Sequence, residues 1–479
     1  LPKSLDFLVS MYTRHPRYSD YDPSVDEETW RYNCHDAALT FAVATSLEGE
    51  ARELGVLDFY HNHIQPTMIE LTRMQNRGVL VDIELRARLA VRQMIKLTGA
   101  LVDIEATTGT RLNPGSSKQV QAYLYDTLKV PRKFNKHTGS VTADEKALRS
   151  IMGTHPEFEP AISTILDYRK AQKLIGTFLT SKLSRETKGG KRNIMRTSYR
   201  TSGTSSGRIS SAKTIFDEGG NLQNIPKSNI RRMYIAREGH KLLRADLSQA
   251  EFRVVVWLAK ITRIIDRYRE DPDFDIHTWN ASNIYQVPEV EVTKLQRNSS
   301  KAVVHGGNYG LGYKLAVEIS RGWGLSISYR EMKRAMEMYR ATMPEIRLWW
   351  ESIQDELKRT RTLTTPLGRR RSFLGRLDNA MFRSAYSFKP QGLVGDIINQ
   401  AIGKAEFVLP PGNYPILQVH DEIVWEVETS RVDELLPVIR DLMTVPVMVE
   451  GVSDPLVIPV EIEIGDNWYN MKEVDNGSV

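Results

Sequence analysis

The stretch Tyr414-Pro415-Ile416-Leu417-Gln418-Val419-His420-Asp421-Glu422-Ile423-Val424-Trp425-Glu426-Val427 decides how the chain is read. Two apolar runs rich in β-branched residues flank a short polar break, which is the pattern of a β-hairpin. Asp421 and Glu422 then sit at its turn. An Asp at a turn has a local explanation, because its side chain bonds nearby backbone amides. A distant acidic residue suggests another. Lys241-Leu242-Leu243-Arg244-Ala245-Asp246 predicts a short strand, and Gln249 to Lys260 predicts a helix after it. Carboxylates at the ends of neighbouring strands can converge, and at close range they repel. A pair of divalent cations relieves that repulsion, and two cations about 3.5–4 Å apart serve in-line phosphoryl transfer. Mg2+ suits such a site, since it takes few protein carboxylates and fills its shell with water and phosphate oxygens.

Between these carboxylates, Arg297, Lys301, His305 and Tyr309 recur at every fourth position. On a helix they form one slowly turning stripe. Two cations and two rings match a nucleoside triphosphate, cations toward phosphates and rings toward sugar and base. A solvated helical face with a few aromatics would show the same spacing. Gly306, Gly307 and Gly310 each cost ~1 kcal/mol relative to Ala in a helix, so they predict a bend or a close approach to the backbone.

The 479 residues carry 65 Lys and Arg against 59 Asp and Glu, a formal charge of +6, and 41% are apolar. That supports real cores and excludes a wholly disordered chain. The positive balance is a mild hint of a polyanionic partner. No run approaches the ~18 apolar residues of a membrane span, so no membrane role is expected. Leu1-Pro2-Lys3-Ser4 is not a secretory signal, and the chain reads as cut from something longer. A single cysteine, Cys34, excludes an internal disulfide framework and a Cys-rich zinc site, and it suits a reducing compartment. Helical patterns are expected from Asn33 to about Leu57, from His63 to about Thr108 with an interruption at Arg77-Gly78, and from Pro160 to Leu183. Ser116/Ser117 and Asp144 are expected helix caps, and Ser184 to Gly190 a loop tip. Residues 192–235 change character, with Ser, Thr, Gly and Arg dominating Ser198 to Ser211 before Asn221 to Pro226, as a surface loop or a ligand-gripping segment would.

These residues resemble a known family. Asp246-Leu-Ser-Gln249-Ala-Glu251-Phe-Arg253, Arg297-(three)-Lys301-(seven)-Tyr309-Gly310 and Gln418-Val-His420-Asp421-Glu422 are similar to motifs A, B and C of family A DNA polymerases. Bacterial DNA polymerase I and many phage replicative enzymes belong to that family. Leu112-Asn-Pro-Gly-Ser-Ser-Lys118, Ser206-Gly-Arg208-Ile-Ser-Ser211 with Asn221-Leu-Gln-Asn-Ile-Pro226, Thr365-Pro-Leu-Gly-Arg-Arg370, Arg383-(seven)-Gln391-Gly392 and Gly465-Asp-Asn-Trp468 add to the resemblance. It covers about residue 60 to the terminus.

The resemblance implies an α+β fold, a right-hand polymerase with helical thumb and fingers and an antiparallel β-sheet palm. Residues 63–200 would be the thumb, 201–260 and 366–479 the palm, and 261–365 the fingers. Asp246 and Asp421 would hold two Mg2+ ions, with Mn2+ a possible substitute. Glu422 and Lys301 join them as catalytic candidates. Arg297, Lys301 and His277 would face the phosphates. Gln249, Glu251, His305 and Tyr309 would complete the nucleotide pocket, with Glu251 and Tyr309 crowding the sugar 2′ position. Arg208, Gln223, Asn224, Arg383, Gln391 and His420 would face DNA. The minor-groove acceptors of A·T and G·C are nearly equivalent, so donors there test pair geometry without reading sequence.

Two departures stand out. His305 replaces the usual Phe or Tyr; an imidazole, whose unperturbed pKa is ~6.5, would either make nucleotide binding depend on pH or simply pack as a flat ring. Ser387 replaces an expected Asn, and its shorter side chain would lose a minor-groove contact. Tyr32-Asn-Cys-His-Asp36 resembles the third motif of the family's 3′–5′ exonuclease domain, so residues 1–62 read as its remnant, without proofreading. The expected partners are primer–template DNA and deoxynucleoside triphosphates, with replication accessory proteins as further candidates. The expected setting is a monomer in the cytoplasm of a bacterium or phage-infected cell, an organelle being left open. Competing readings are a single-subunit RNA polymerase, which usually lacks the Glu at 251, a reverse transcriptase side activity, and a non-catalytic primer–template scaffold.

Overall fold

The computed structural model describes residues 4–135, 138–185, 190, 192–322, 325 and 327–474. Its centre is an antiparallel five-stranded sheet. The strand order is Tyr414–Val419, Glu422–Glu428, His240–Leu247, Val460–Gly465 and Met471–Glu473. Alternation along the strands sorts the side chains. Leu243, Ala245, Leu247, Ile423, Trp425 and Val427 enter the main core beside the long helix Asn379–Val408. Leu242 and Val424 enter a second core on the opposite face.

The expected caps are present. Asp144 Oδ1 accepts the amide of Ala147 at 2.8 Å, and Ser116 Oγ that of Gln119 at 3.4 Å. The arm they belong to contains helices Gln65–Arg77, Ile83–Thr108, Glu145–Thr154 and Glu159–Leu174. It is not wholly helical, as the sequence pattern suggested. Val79–Val81 is a strand in a four-stranded sheet with Ser184–Arg185, Arg192–Met195 and Tyr234–Ile235. The physical reason lies at its ends. Gly78 stops the preceding helix at φ +59°, and Asp82 caps the next by accepting the Leu85 amide at 2.9 Å. Only three apolar residues remain between them, and they form an inner strand between Arg192–Met195 and Tyr234–Ile235. Of the expected loop tip, residues 184–185 form an edge strand of the same sheet and residues 186–189 lie outside the described residues.

The described residues of 262–360 form six α-helices, among them Ile276–Tyr285, Lys294–Asn308, Tyr313–Gly322, Tyr329–Thr342 and Glu345–Thr360. Gly307 is a contact glycine: a Cβ there would collide with the ring of Tyr339. The Tyr339 hydroxyl donates to Asn308 Oδ1 at 2.5 Å, and Trp350 Nε1 donates to the Asn308 carbonyl at 2.8 Å. Gly310, at φ +67°, follows the helix end. Of the two meanings of this glycine cluster, close approach applies at Gly307.

At the N-terminal side, helices Leu5–Tyr12 and Asp26–Glu53 share a small core of Val9, Leu39 and Val43. Tyr32 stacks on Tyr21 with ring centroids 4.2 Å apart, and the Tyr18 hydroxyl donates to Asp36 Oδ1 at 2.7 Å. Among the described residues, no helix is long and apolar enough to cross a membrane.

Candidate active site

The hairpin forms as the sequence pattern predicts, with Val419 paired to Glu422 around a two-residue turn of His420 and Asp421. His420 sits at φ +58°, a conformation that costs a non-glycine residue roughly 1–2 kcal/mol. The turn is held from two sides. Gln418 Nε2 donates to the His420 carbonyl at 2.8 Å, and the Leu247 amide donates to the Asp421 carbonyl at 3.2 Å. Gln223 lies behind Gln418: its Nε2 donates to Gln418 Oε1 at 2.6 Å and to the Ile209 carbonyl at 3.1 Å.

Asp246 is paired with Glu422 on one side and Glu461 on the other. The strand ends therefore gather carboxylates. Burial, then the charges of Asp421 and Glu422, push the Asp246 carboxyl up to about 7. Burial raises Asp421 as well, against the pull of its own backbone amide, Arg208 and His420. Glu422 is engaged differently. Trp468 Nε1 donates to its Oε1 at 3.2 Å, and Arg231, whose guanidinium lies 3.8 Å from the Trp468 ring centroid, is 3.5 Å from it. Lys227 Nζ stands 3.9 Å from Glu422 Oε2, and its charge also lowers Asp246. Among the described residues no group of three or more His, Cys, Asp or Glu side chains is arranged to hold a metal ion. The candidate donors are the Asp246 and Asp421 carboxylates.

The stripe lies on Lys294–Asn308, a helix opened by a Thr293/Gln296 capping box, with Tyr309 as the C-terminal cap residue. Arg297 Nε donates to Asp275 Oδ2 at 2.5 Å. Asp275 in turn caps the helix that carries His277, whose amide it accepts at 3.1 Å. Burial alone would raise Asp275, but hydrogen bonds from Arg297 and Thr278 outweigh it and hold the carboxyl down to about 2. His277 is lowered too, which for an imidazole favours the neutral form. Burial, then the charge of Lys301, lowers its imidazole to about 4, so the ring is neutral at pH 7. Its Nδ1 is buried with no hydrogen-bond partner. Burial and Arg297 also lower Lys301.

At the far end of the stripe the His305 ring stands edge-on to Tyr309, with centroids 5.4 Å apart at 85°. The buried Tyr309 hydroxyl donates to Glu251 Oε2 at 2.7 Å, and Arg208 pairs with Glu251 Oε1. Glu251 sits in the first turn of Ala250–Leu258, after Gln249 at φ +52°. Gln249 ties that helix start to the Asp275 loop, accepting the Ile276 amide and donating to the Phe274 carbonyl, both at 3.3 Å.

The structure thus gathers Asp246, Asp421, Glu422 and Lys227 at one point. Arg297, Lys301, His277 and Asp275 form a second cluster, and Tyr309, Glu251 and Arg208 a third. Arg383 and Gln391 lie on the long helix, Arg383 exposed; Asn224 and His420 are exposed and Gln223 is buried. Sequence reasoning missed Lys227, Asp275 and Glu461 as members of the site, and had Gln418 only as part of the third motif. Asp275 carried a signal, being a cap residue two before His277. Lys227 sits in a loop without periodicity and carried none.

The sequence profile of DNA polymerase family A matches residues 88–470. The chain is 30% identical over 444 residues to the thermostable DNA polymerase I of Thermus aquaticus, covering 89% of this chain and 50% of that protein. It is 30% identical over 468 residues to DNA polymerase I of Pseudomonas aeruginosa, covering 94% and 48%. The chain therefore spans about half the length of these curated relatives. The solved POL domain of Pol1 from M. smegmatis, in complex with DNA primer-template and dNTP, superimposes with a TM-score of 0.82 at 26% identity, covering 98% of this chain and 79% of that one.

Proposed function

The chain belongs to DNA polymerase family A, and from that premise we propose that it is a DNA-templated DNA polymerase, extending a primer 3′-hydroxyl with deoxynucleotides by two-metal-ion phosphoryl transfer. The observation that carries this is the pair Asp246 and Asp421 on adjoining strand ends, both with raised proton affinity. That the Pol1 structure holds primer–template and dNTP supports the same partners here.

Mg2+, or Mn2+ in its place, fits this donor set. A half-buried carboxylate pair that favours protons lacks positive charge, and its hard oxygens match these cations. Asp246 and Asp421 would hold the ions. When bound, they lower the pKa of the attacking hydroxyl and offset charge on the triphosphate. The rest is positioning by the chain. Glu422, fixed by Trp468 and Arg231, lines the floor beside Asp246. Arg297 and Lys301 bind phosphate oxygens, and Asp275 aims Arg297. The neutral His277 donates a hydrogen bond rather than a charge. Glu251, steadied by Tyr309 and Arg208, closes the space a sugar 2′-hydroxyl would need, with His305 and Gln249 around it. Gln223, through Gln418, steadies the His420–Asp421 turn at the primer end. Arg208, Asn224, Arg383, Gln391 and His420 contact the duplex, mostly without reading sequence. Binding is therefore salt-sensitive.

In this reading residues 63–200 are the thumb, 201–260 with 366–479 the palm, and 261–365 the fingers. Residues 1–62, including Tyr32 and Asp36, are an exonuclease remnant without proofreading. The chain acts as a monomer, open to replication accessory proteins, in the cytoplasm of a bacterium or phage-infected cell.

Primer extension on a DNA template with Mg2+ tests the proposal, comparing deoxy- and ribonucleotides and wild type with Asp421→Asn. Extension with deoxynucleotides alone, lost in the variant while DNA binding persists, is the expected outcome. Salt-sensitive DNA binding without extension by wild type would overturn it in favour of a scaffold.

A further inference from the structure

Behind the Ser206–Arg208 loop lies a buried charge cluster that the site described above does not use. Asp396, on the long helix, is fully buried. Its Oδ1 accepts Arg369 Nε at 2.8 Å, Arg369 Nη2 at 2.6 Å and His63 Nε2 at 3.1 Å. Its Oδ2 is buried with no partner. Phe59 closes the cluster, stacked on His63 with centroids 4.6 Å apart and 5.2 Å from the Arg369 guanidinium. Burying an ion pair is a poor way to gain stability, since well-packed apolar side chains do as well or better. What the cluster touches suggests another use.

Arg369 lies against Gly207, where φ is +85° and a Cβ would collide with the guanidinium. Asn399, three residues beyond Asp396, donates to the Gly207 carbonyl at 3.4 Å. Gly392 leaves no room for a relaxed Cβ beneath the Ser206 carbonyl, which would be 3.0 Å away, and Gly395 faces the Arg208 backbone. The loop is thus seated on the helix at one height. That height determines where the next side chain, Arg208, can reach, and Arg208 holds Glu251 together with Tyr309.

We propose that Asp396, Arg369 and His63 form a positioning cluster that seats Gly207–Arg208, so that discrimination at the primer terminus depends on a charge buried behind the loop. Asp396 keeps the Arg369 fork flat beneath Gly207, and the loop above it carries Arg208 to Glu251 and the terminal base pair. None of the three touches substrate. The inference rests on the polymerase reading and on the placing of Arg208 at the primer end.

The test is single-turnover extension from matched and 3′-mismatched primers by wild type, Asp396→Asn, Arg208→Ala and the double variant. Expected is a matched-to-mismatched ratio about tenfold lower in Asp396→Asn, through the extension rate rather than nucleotide affinity, with no further loss in the double variant. A uniform slowing with the ratio unchanged, or losses that multiply in the double variant, would overturn the proposal. If Arg208→Ala itself leaves the ratio unchanged, the placing of Arg208 fails, and this inference with it. If Arg208→Ala lowers the ratio and Asp396→Asn does not, the positioning cluster alone fails. Should Asp396→Asn not fold, Arg369→Lys, which keeps the charge but loses the fork, is read by the same criteria.

Discussion

Glu422 stands directly opposite Asp246 in the antiparallel ladder, yet the two carboxylates have unlike surroundings. Glu422 is bonded by Trp468 and lies beside Arg231, and it raises the proton affinity of Asp246. A slip of one residue in this register would turn every side chain to the other face and disperse the site. Glu422→Gln keeps an acceptor for Trp468 and removes one charge facing Asp246. The acid limb of the extension rate profile, measured in Mg2+, is expected to move to lower pH. An unmoved limb would show that Glu422 does not tune Asp246.

Stability without metal should carry the signature of Asp246. Its folded carboxyl binds protons more tightly than the unfolded one, whose pKa is near 4. The resulting stability is full below the unfolded value and is lost as pH rises through about 7. Urea unfolding in chelator should therefore show falling stability between pH 4 and 7, with a shallower fall in Asp246→Asn. Asp275 acts in a separate window. Its depressed carboxyl contributes stability above pH 4 that is lost as pH falls toward about 2.

His277 is neutral throughout the working range because its pKa is about 4. His277→Gln, which keeps a donor, should weaken nucleotide binding less than His277→Ala. Neither should change how that binding varies between pH 6 and 8. A nucleotide titration at three pH values decides it, and a pH dependence lost with the imidazole would show that the ring carries charge.

Tyr309→Phe removes the hydroxyl that bonds Glu251. A hydrogen bond to a charged group contributes about 1.5–3 kcal/mol, and ~1.4 kcal/mol is tenfold. Ribonucleotide incorporation should rise by about tenfold or somewhat more, and by more again in Glu251→Ala. Competition between a ribo- and a deoxynucleotide at one template base measures both.

Sequence reading succeeds where chemistry is local. The Ile416–Val419 and Ile423–Val427 runs announce the hairpin because each strand carries its own apolar pattern. The stripe from Arg297 to Tyr309 announces its helix in the same way. It fails where partners are far apart or elements are short. Val79–Val81 is too short to show a period. Asp396 and His63 are 333 positions apart, and neither has a local signature. The Arg231–Glu422–Trp468 contact joins three segments that nothing in the chain order connects.

Gly307, pressed beneath Tyr339, has a mechanical consequence. Without a side chain between them, the helix bearing Arg297 and Lys301 and the helix Tyr329–Thr342 leave each other no room for relative sliding. The bonds of Asn308 to Tyr339 and Trp350 brace the same seam. Any swing that brings Arg297 and Lys301 toward Asp246 must carry these helices as one lever. Its fulcrum lies outside the Gly306–Asn308 segment.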